Sequence, residues 1–271
     1  MSGEPRASLD PDRFGGRTVA GPMDETPAAE PLIPLAPETA PSRRVPWPIV
    51  LAAAAALGLA ILWWIGHELT EGDGARFDRA VMLAMRVPGH PEQPIGPAWL
   101  PSAVRDVTAL GSSTVLTLLV VATAGFLALR RHVRGALLVL AATMLGAAAI
   151  TLIKALIGRA RPDLIDRLMV ETSHSFPSGH AANSAIVYLT LATLLFPAVR
   201  ERRLRAYLLA LALGLTGLVG VSRVYLGVHW PSDVLAGWAF GACWALLWWW
   251  IGLRVMTSSA PAIVSPLPTE R

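Results

Sequence analysis

Three short stretches carry residue types that could do chemistry together. The first is Lys154 to Pro162, KALIGRARP. Lys154 and Arg161 are seven residues apart, two helical turns, so both can point the same way. Pro162 biases Arg161 away from helix and marks a helix exit. Two cations there suit an anion, although a Lys and an Arg at a helix end also suit plain snorkelling to headgroups. The second stretch is Ser175 to His180, SFPSGH. Pro177 and Ser178 suit a helix start, and Gly179 permits close backbone approach. The free N–H groups of Gly179 and His180, with the helix dipole, would face an anion. Ser178 adds a hydroxyl, and His180 is a titratable group beside the anion. A plain N-cap with a surface histidine would be spelled the same way.

The third stretch is Ser222 to Asp233, SRVYLGVHWPSD. Arg223 is a third cation. His229 stands two residues before Pro231, which fits the first turn of a helix. Asp233 falls in that turn, so its carboxylate can reach back to one nitrogen of His229. The other nitrogen is then free as a nucleophile or base. The bland alternative is a capping carboxylate beside an interfacial histidine. Together the stretches supply three cations, a helix N-terminus, two histidines and an orienting aspartate. That set is what phosphoryl transfer through a histidine needs: donors for the phosphate oxygens, an imidazole to attack, and another to protonate the leaving oxygen.

The elements that must position these residues are apolar. Hydrophobic residues make up 54% of the 271-residue chain and charged residues 15%, with mean hydropathy +0.50. A soluble domain carries about 25% charged residues. Soluble enzyme, secreted disulfide module and disordered chain are therefore excluded as descriptions of the whole. Six apolar runs cover 45–66, 108–129, 135–157, 181–199, 206–222 and 233–253. They are helix-length, near the roughly 20 residues that cross a bilayer, and lack the weak alternation of barrel strands. The expected fold is all-α, a six-transmembrane-helix bundle with its active site at the outer membrane face. Residues 1–44 hold eight prolines and mixed charge and read as a disordered cytoplasmic tail. They lack the pattern of a signal peptide and are expected to stay in the mature protein. The membrane domain is expected over 45–255 and a short flexible tail over 256–271.

Of the 23 basic residues, all but Lys154 are arginine. Dense clusters at Arg43–Arg44, Arg130–Arg134 and Arg200–Arg205, with Arg254, predict the cytoplasmic side. Both termini are then inside, and 67–107, 158–180 and 223–232 outside. No basic stripe marks a soluble segment, so nucleic acid is not an expected partner. In the first outer segment, Phe77, Val81, Ala84 and Met85 predict a short amphipathic helix. It would lie on the outer leaflet or pack on the bundle. Gly214, Gly217 and Gly220 predict close helix packing. The single cysteine, Cys243, allows no intrachain disulfide, and no tight carboxylate cluster suits Mg²⁺. His174 adjoins the second stretch and could line an entrance. His67, His90 and His132 read as interface or loop histidines.

The pattern Lys-x6-Arg-Pro, Pro-Ser-Gly-His and Ser-Arg-x5-His-x3-Asp resembles the tripartite signature of the type 2 phosphatidic acid phosphatase superfamily. That superfamily includes lipid phosphate phosphatases and haloperoxidases. It is matched at Lys154, Arg161, Pro162, Pro177, Ser178, Gly179, His180, Ser222, Arg223, His229 and Asp233. The resemblance implies that Lys154, Arg161, Ser178, Gly179 and Arg223 hold phosphate. It implies that His229 attacks phosphorus, oriented by Asp233, and that His180 protonates the leaving group. It implies no cofactor and no metal. The substrate would be a lipid phosphate or pyrophosphate from the outer leaflet, such as undecaprenyl pyrophosphate, phosphatidylglycerol phosphate, phosphatidic acid or lipid A phosphate. The sequence names no protein partner. Transfer of phosphate or a headgroup to a second lipid would use the same residues. Vanadium haloperoxidases share the site but are soluble, which the apolar runs oppose. A non-catalytic transporter or scaffold would place polar residues near the bilayer midplane rather than at one face.

Overall fold

The apolar runs become helices, and the polar stretches become the junctions between them. The computed structural model describes residues 73–196, 199 and 201–257. The expected tail 1–44, the expected helix 45–66 and residues 258–271 lie outside the described residues. In chain order the elements are α1 (Asp73–Ala84), β1 (Arg86–Val87), β2 (His90–Pro94), α2 (Leu100–Ala109) and α3 (Ser113–Leu129). Then follow α4 (Val133–Ile157), α5 (Gly179–Leu195), α6 (Arg202–Tyr225) and α7 (Pro231–Thr257). The strands form one small antiparallel hairpin, with Arg86 opposite Pro94 and Val87 opposite His90.

By length and hydropathy α4, α6 and residues 231–255 of α7 can each cross a membrane. Helices α2 and α3, bent by 40° at their junction, make a fourth span if counted as one. The expected run 108–129 is thus the second arm of a broken helix. Ser112 caps α3 by accepting from the Val115 N–H at 3.3 Å, and the Tyr188 hydroxyl donates to the Leu110 carbonyl at the break. The expected run 181–199 is shorter than predicted, because α5 has 17 residues. Of the five expected runs that fall within the described residues, three or four are long and apolar enough to be spans.

α5 is apolar on every side, and packs chiefly against α7 and α6. Small residues make this approach close. A Cβ at Gly237 would lie 2.9 Å from the Ser178 carbonyl, and one at Gly241 would lie 2.4 Å from Ala185 Cβ. Of the three glycines in α6, only Gly220 performs the expected packing: a Cβ there would strike the Trp238 ring at 2.2 Å. At Gly214 and Gly217 a Cβ would meet nothing. Large apolar side chains such as Phe126, Leu129, Met144 and Leu156 point outward and are mostly exposed, as lipid-facing residues are.

The amphipathic helix exists as α1, and of the expected apolar residues Val81 and Met85 pack inward while Phe77 and Ala84 are exposed. Asp78, Met82 and Arg86 are buried, while Phe77 is exposed. Met82 packs with Ile165, Ala181, Val224 and Val234, so α1 sits on the bundle. Two polar residues point inward because each finds partners there. The Arg86 guanidinium donates to the Tyr225 carbonyl at 3.0 Å and the Asp166 carbonyl at 3.2 Å.

Candidate active site

Four helix ends meet where the three stretches come together: the C-termini of α4 and α6 and the N-termini of α5 and α7. The basic clusters at Arg130–Arg134 and Arg202–Arg205 sit at the other ends of these helices.

α4 stops at Ile157 because Gly158 turns left-handed, at φ 62°. Arg161 therefore lies beyond the helix, at the exit that Pro162 marks, rather than in helical register with Lys154. The two cations still converge. Lys154 Nζ donates to the His174 carbonyl at 2.7 Å, and Arg161 Nε donates to the Ser173 carbonyl at 2.7 Å. His174 thus contributes its backbone, while its ring is exposed.

Ser178 is the N-cap of α5, its Oγ accepting from the Ala181 N–H at 3.5 Å. That is the plain capping role, and it leaves the hydroxyl proton free to donate. Gly179 and His180 open the helix, where N–H groups lack intrahelical partners. Lys154 runs past this end: a Cβ on Gly179 would lie 3.4 Å from Lys154 Cε. The peptide bond between Phe176 and Pro177 is cis. The Ser178 N–H donates to the Asp233 carbonyl at 3.0 Å and ties the starts of α5 and α7 together.

His229 precedes α7 by two residues rather than lying in its first turn, and is almost fully buried. Asp233 Oδ2 accepts from the Trp230 N–H at 3.0 Å, the backward half of a capping box. The same oxygen accepts from the Ser175 hydroxyl and lies 3.4 Å from His229 Nδ1. Arg161 Nη1 is 3.3 Å from His229 Nε2. A guanidinium only donates, so Nε2 is the unprotonated nitrogen and Nδ1 carries the proton. Burial pushes the His229 imidazole down to about 4; Arg161 and Arg223 push the same way, and Asp233 opposes them. The ring is thus neutral near pH 7, with a lone pair on Nε2.

Arg223 is fully buried in the last turn of α6. It donates to Thr108 Oγ1 at 3.2 Å and pairs with the Glu171 carboxylate. Its Nε has no protein partner. Glu171 also lies 3.7 Å from Arg161. Burial opposes its charge, but Arg223 and Arg161 outweigh burial and hold the carboxyl below its usual range. His180, half-buried, lies within electrostatic reach of Arg223, Glu171 and His229.

The eight predicted residues therefore gather in one cluster. Four others were not singled out by sequence: Ser175 and Arg159 on Asp233, Glu171 between the arginines, and Asp78 on α1. Ser175 and Arg159 stood inside the stretches as spacers. Asp78 and Glu171 stood among the acidic residues of the outer segments.

The family model of the PAP2 superfamily matches residues 135–256. Phosphatidylglycerophosphatase B of Bacillus subtilis (strain 168) is 38% identical over 149 residues, covering 53% of this chain and 70% of that protein. Lipid A 1-phosphatase of Rhizobium johnstonii is 42% identical over 105 residues, covering 35% of this chain and 39% of that protein. The crystal structure of a transmembrane PAP2 type phosphatidylglycerolphosphate phosphatase from Bacillus subtilis superposes with a TM-score of 0.65 at 28% identity. It covers 77% of this chain and 98% of that one. With a signature complete in sequence and gathered in space, and a relative matched over most of its length, this chain belongs to the PAP2 superfamily.

Proposed function

We propose that this protein is a membrane lipid phosphatase that hydrolyses a lipid phosphate or pyrophosphate through a phosphohistidine at His229. One observation carries the reading. A buried, neutral imidazole backed by Asp233 lies against Arg161, within electrostatic reach of Arg223 and the first turn of α5.

In this reading Lys154, Arg161, Arg223, the Ser178 hydroxyl and the Gly179 N–H hold the phosphate oxygens. His229 Nε2 attacks phosphorus, and a P–N bond forms as the bond to the lipid oxygen breaks. His180 gives its proton to that oxygen. Water then attacks the phosphohistidine, His180 takes the water's proton, and the P–N bond breaks to free phosphate and His229. Asp233 holds the Nδ1 proton and the charge that develops on the ring. No step calls on a metal.

The similar proteins are named for phosphatidylglycerophosphate and for the 1-phosphate of lipid A, which supports a substrate among anionic membrane lipids. The arginine clusters at the far helix ends support a site on the outer face, with both termini cytoplasmic and lipid entering from the outer leaflet. In this reading the membrane domain is a six-helix bundle over 45–255.

The test is phosphate release in detergent or liposomes, with chelator present, from phosphatidylglycerophosphate, phosphatidic acid, lipid A phosphate and undecaprenyl pyrophosphate. Release that survives chelator and is lost in His229→Ala is the expected result. Release that persists in His229→Ala overturns the mechanism. Loss of phosphate from the donor with its appearance on a second lipid, and none in solution, would make the protein a transferase.

A further inference from the structure

Arg159 lies between the signature residues Lys154 and Arg161 and belongs to neither position. We infer that Arg159 is a positioning residue for the nucleophile, acting through Asp233, and that Asp78 on α1 holds it in place. The inference rests on the reading of His229 as the nucleophile.

The Arg159 fork spans two carboxylates. Its Nη1 donates to Asp233 Oδ1 at 2.5 Å and to Ser232 Oγ at 2.8 Å. Its Nη2 donates to Asp78 Oδ2 at 2.9 Å. The guanidinium carbon lies 5.4 Å from the centre of the Trp230 ring, which limits its sideways movement. Asp78 and Asp233 are both fully buried, and Arg159 is largely so. Asp78 also accepts the Ser232 N–H at 2.8 Å and the Ser232 hydroxyl at 2.7 Å. A helix outside the signature is thereby bonded to the first turn of α7, where Asp233 stands.

The geometry explains what this does for His229. The Asp233 carboxylate turns about its Cβ–Cγ bond, and only Oδ2 faces Nδ1, at 3.4 Å. The Ser175 hydroxyl and the Trp230 N–H hold Oδ2, and Arg159 takes the other oxygen. Held at both oxygens, the carboxylate keeps Oδ2 toward the imidazole. Both terminal nitrogens of Arg159 are engaged by carboxylates, so it does not serve the phosphate as Lys154, Arg161 and Arg223 do. An arginine fork can bridge two carboxylates in fixed geometry; a lysine, with one point charge, cannot. Removing one partner of such a buried set leaves an uncompensated charge beside the nucleophile.

The test uses the full chain in detergent, with phosphatidylglycerophosphate in mixed micelles and orthophosphate as a competitive inhibitor. Arg159→Gln is expected to lower kcat about 30-fold, the scale of a misplaced catalytic group, with KM and orthophosphate inhibition within about twofold of wild type. Arg159→Lys, which restores charge without the fork, is expected to recover about a third of that loss on a logarithmic scale. Asp78→Asn is expected to lower kcat about fivefold. The double variant is expected to fall no further than Arg159→Gln, because Asp78 acts through Arg159.

Unchanged kcat in Arg159→Gln overturns the inference. So does a raised KM at unchanged kcat, which would put Arg159 on the phosphate. Multiplying effects in the double variant overturn the part given to Asp78. If Arg159→Gln does not fold, Asp78→Asn alone decides: loss of kcat at unchanged orthophosphate inhibition supports the inference, and equal loss of both overturns it. His229→Ala in the same assay separates the two levels. An inactive His229→Ala beside a fully active Arg159→Gln sinks this inference alone, and an active His229→Ala sinks the reading beneath it.

Discussion

His229 and Lys154 belong to one charged cluster, yet the walls that hold them are built differently. On the wall around the proposed nucleophile, His229, Ser175 and Asp233 are buried and meet through the Asp233 carboxylate, and buried Ser232 joins them through Arg159. Asp233 alone accepts from Ser175, Arg159 and the Trp230 N–H, with His229 within reach. On the anion wall, Lys154 and Arg161 donate to the carbonyls of His174 and Ser173, in the long 158–178 connection. Arg223 is paired with Glu171 from the same connection. The first wall is preorganised, and its geometry exists before any phosphate arrives. On the second wall the terminal nitrogens of Arg161 and Arg223 and the Lys154 ammonium already donate to protein oxygens, so a phosphate has to compete for them.

Changes on the nucleophile wall should strike kcat. Asp233→Asn keeps the shape but removes the charge that fixes the His229 tautomer. It should lower kcat about 10³-fold with KM little changed, measured by phosphate release at saturating lipid. A loss confined to KM would mean that the two walls are not distinct.

A change on the anion wall should strike binding, and by less. Glu171→Gln removes a negative charge beside Arg223 and Arg161. Orthophosphate should then inhibit about fivefold more tightly, the worth of about 1 kcal/mol of charge repulsion near a surface. Weaker inhibition would show that Glu171 aligns the arginines rather than competing for them.

Stability responds to pH through the same imidazole. In the unfolded chain His229 takes up a proton below about pH 6.5. In the folded protein burial delays that step to about 4. The unfolded state therefore binds more protons between those values, so stability falls as pH drops through that window and levels off below it. The contribution is at most about 3 kcal/mol. His229→Gln should lose less melting temperature than wild type between pH 6.5 and 4; equal losses would place the acid sensitivity elsewhere.

The same contrast decides what could be read from the sequence. His229 and Asp233 are four residues apart, and the motif Pro177 to His180 is contiguous, so local spacing carried them. The helices were legible from run length and composition, and the fold class with them. What escaped was long-range. Asp78 meets Ser232 across 154 positions and Arg159 across 81, and no local period records either. Part of the inner face of α1 was misjudged for the same reason. Apolarity favoured Phe77 inward, but distant partners made it possible to bury Asp78 and Arg86 instead. One signal was available: Asp78 and Met82 are four residues apart, which puts both on one face of α1, while Arg86 follows in β1. The exit of α4 was legible from the end of its apolar run at 157 and from Pro162, and Gly158 ends the helix there.

The length of α5 has a consequence for the lipid as well as for the protein. Seventeen residues rise about 25 Å, against a hydrocarbon core of about 30 Å. Its N-terminus is part of the site. In the proposed orientation, with α5 crossing the membrane, the bilayer around it either thins to match or leaves the site a few ångströms beneath the headgroup plane. In the first case the membrane is pinched where the substrate docks; in the second the phosphate sinks toward His229. Either way, chain length in the surrounding lipids becomes a variable of the reaction, and a thicker membrane makes the descent longer.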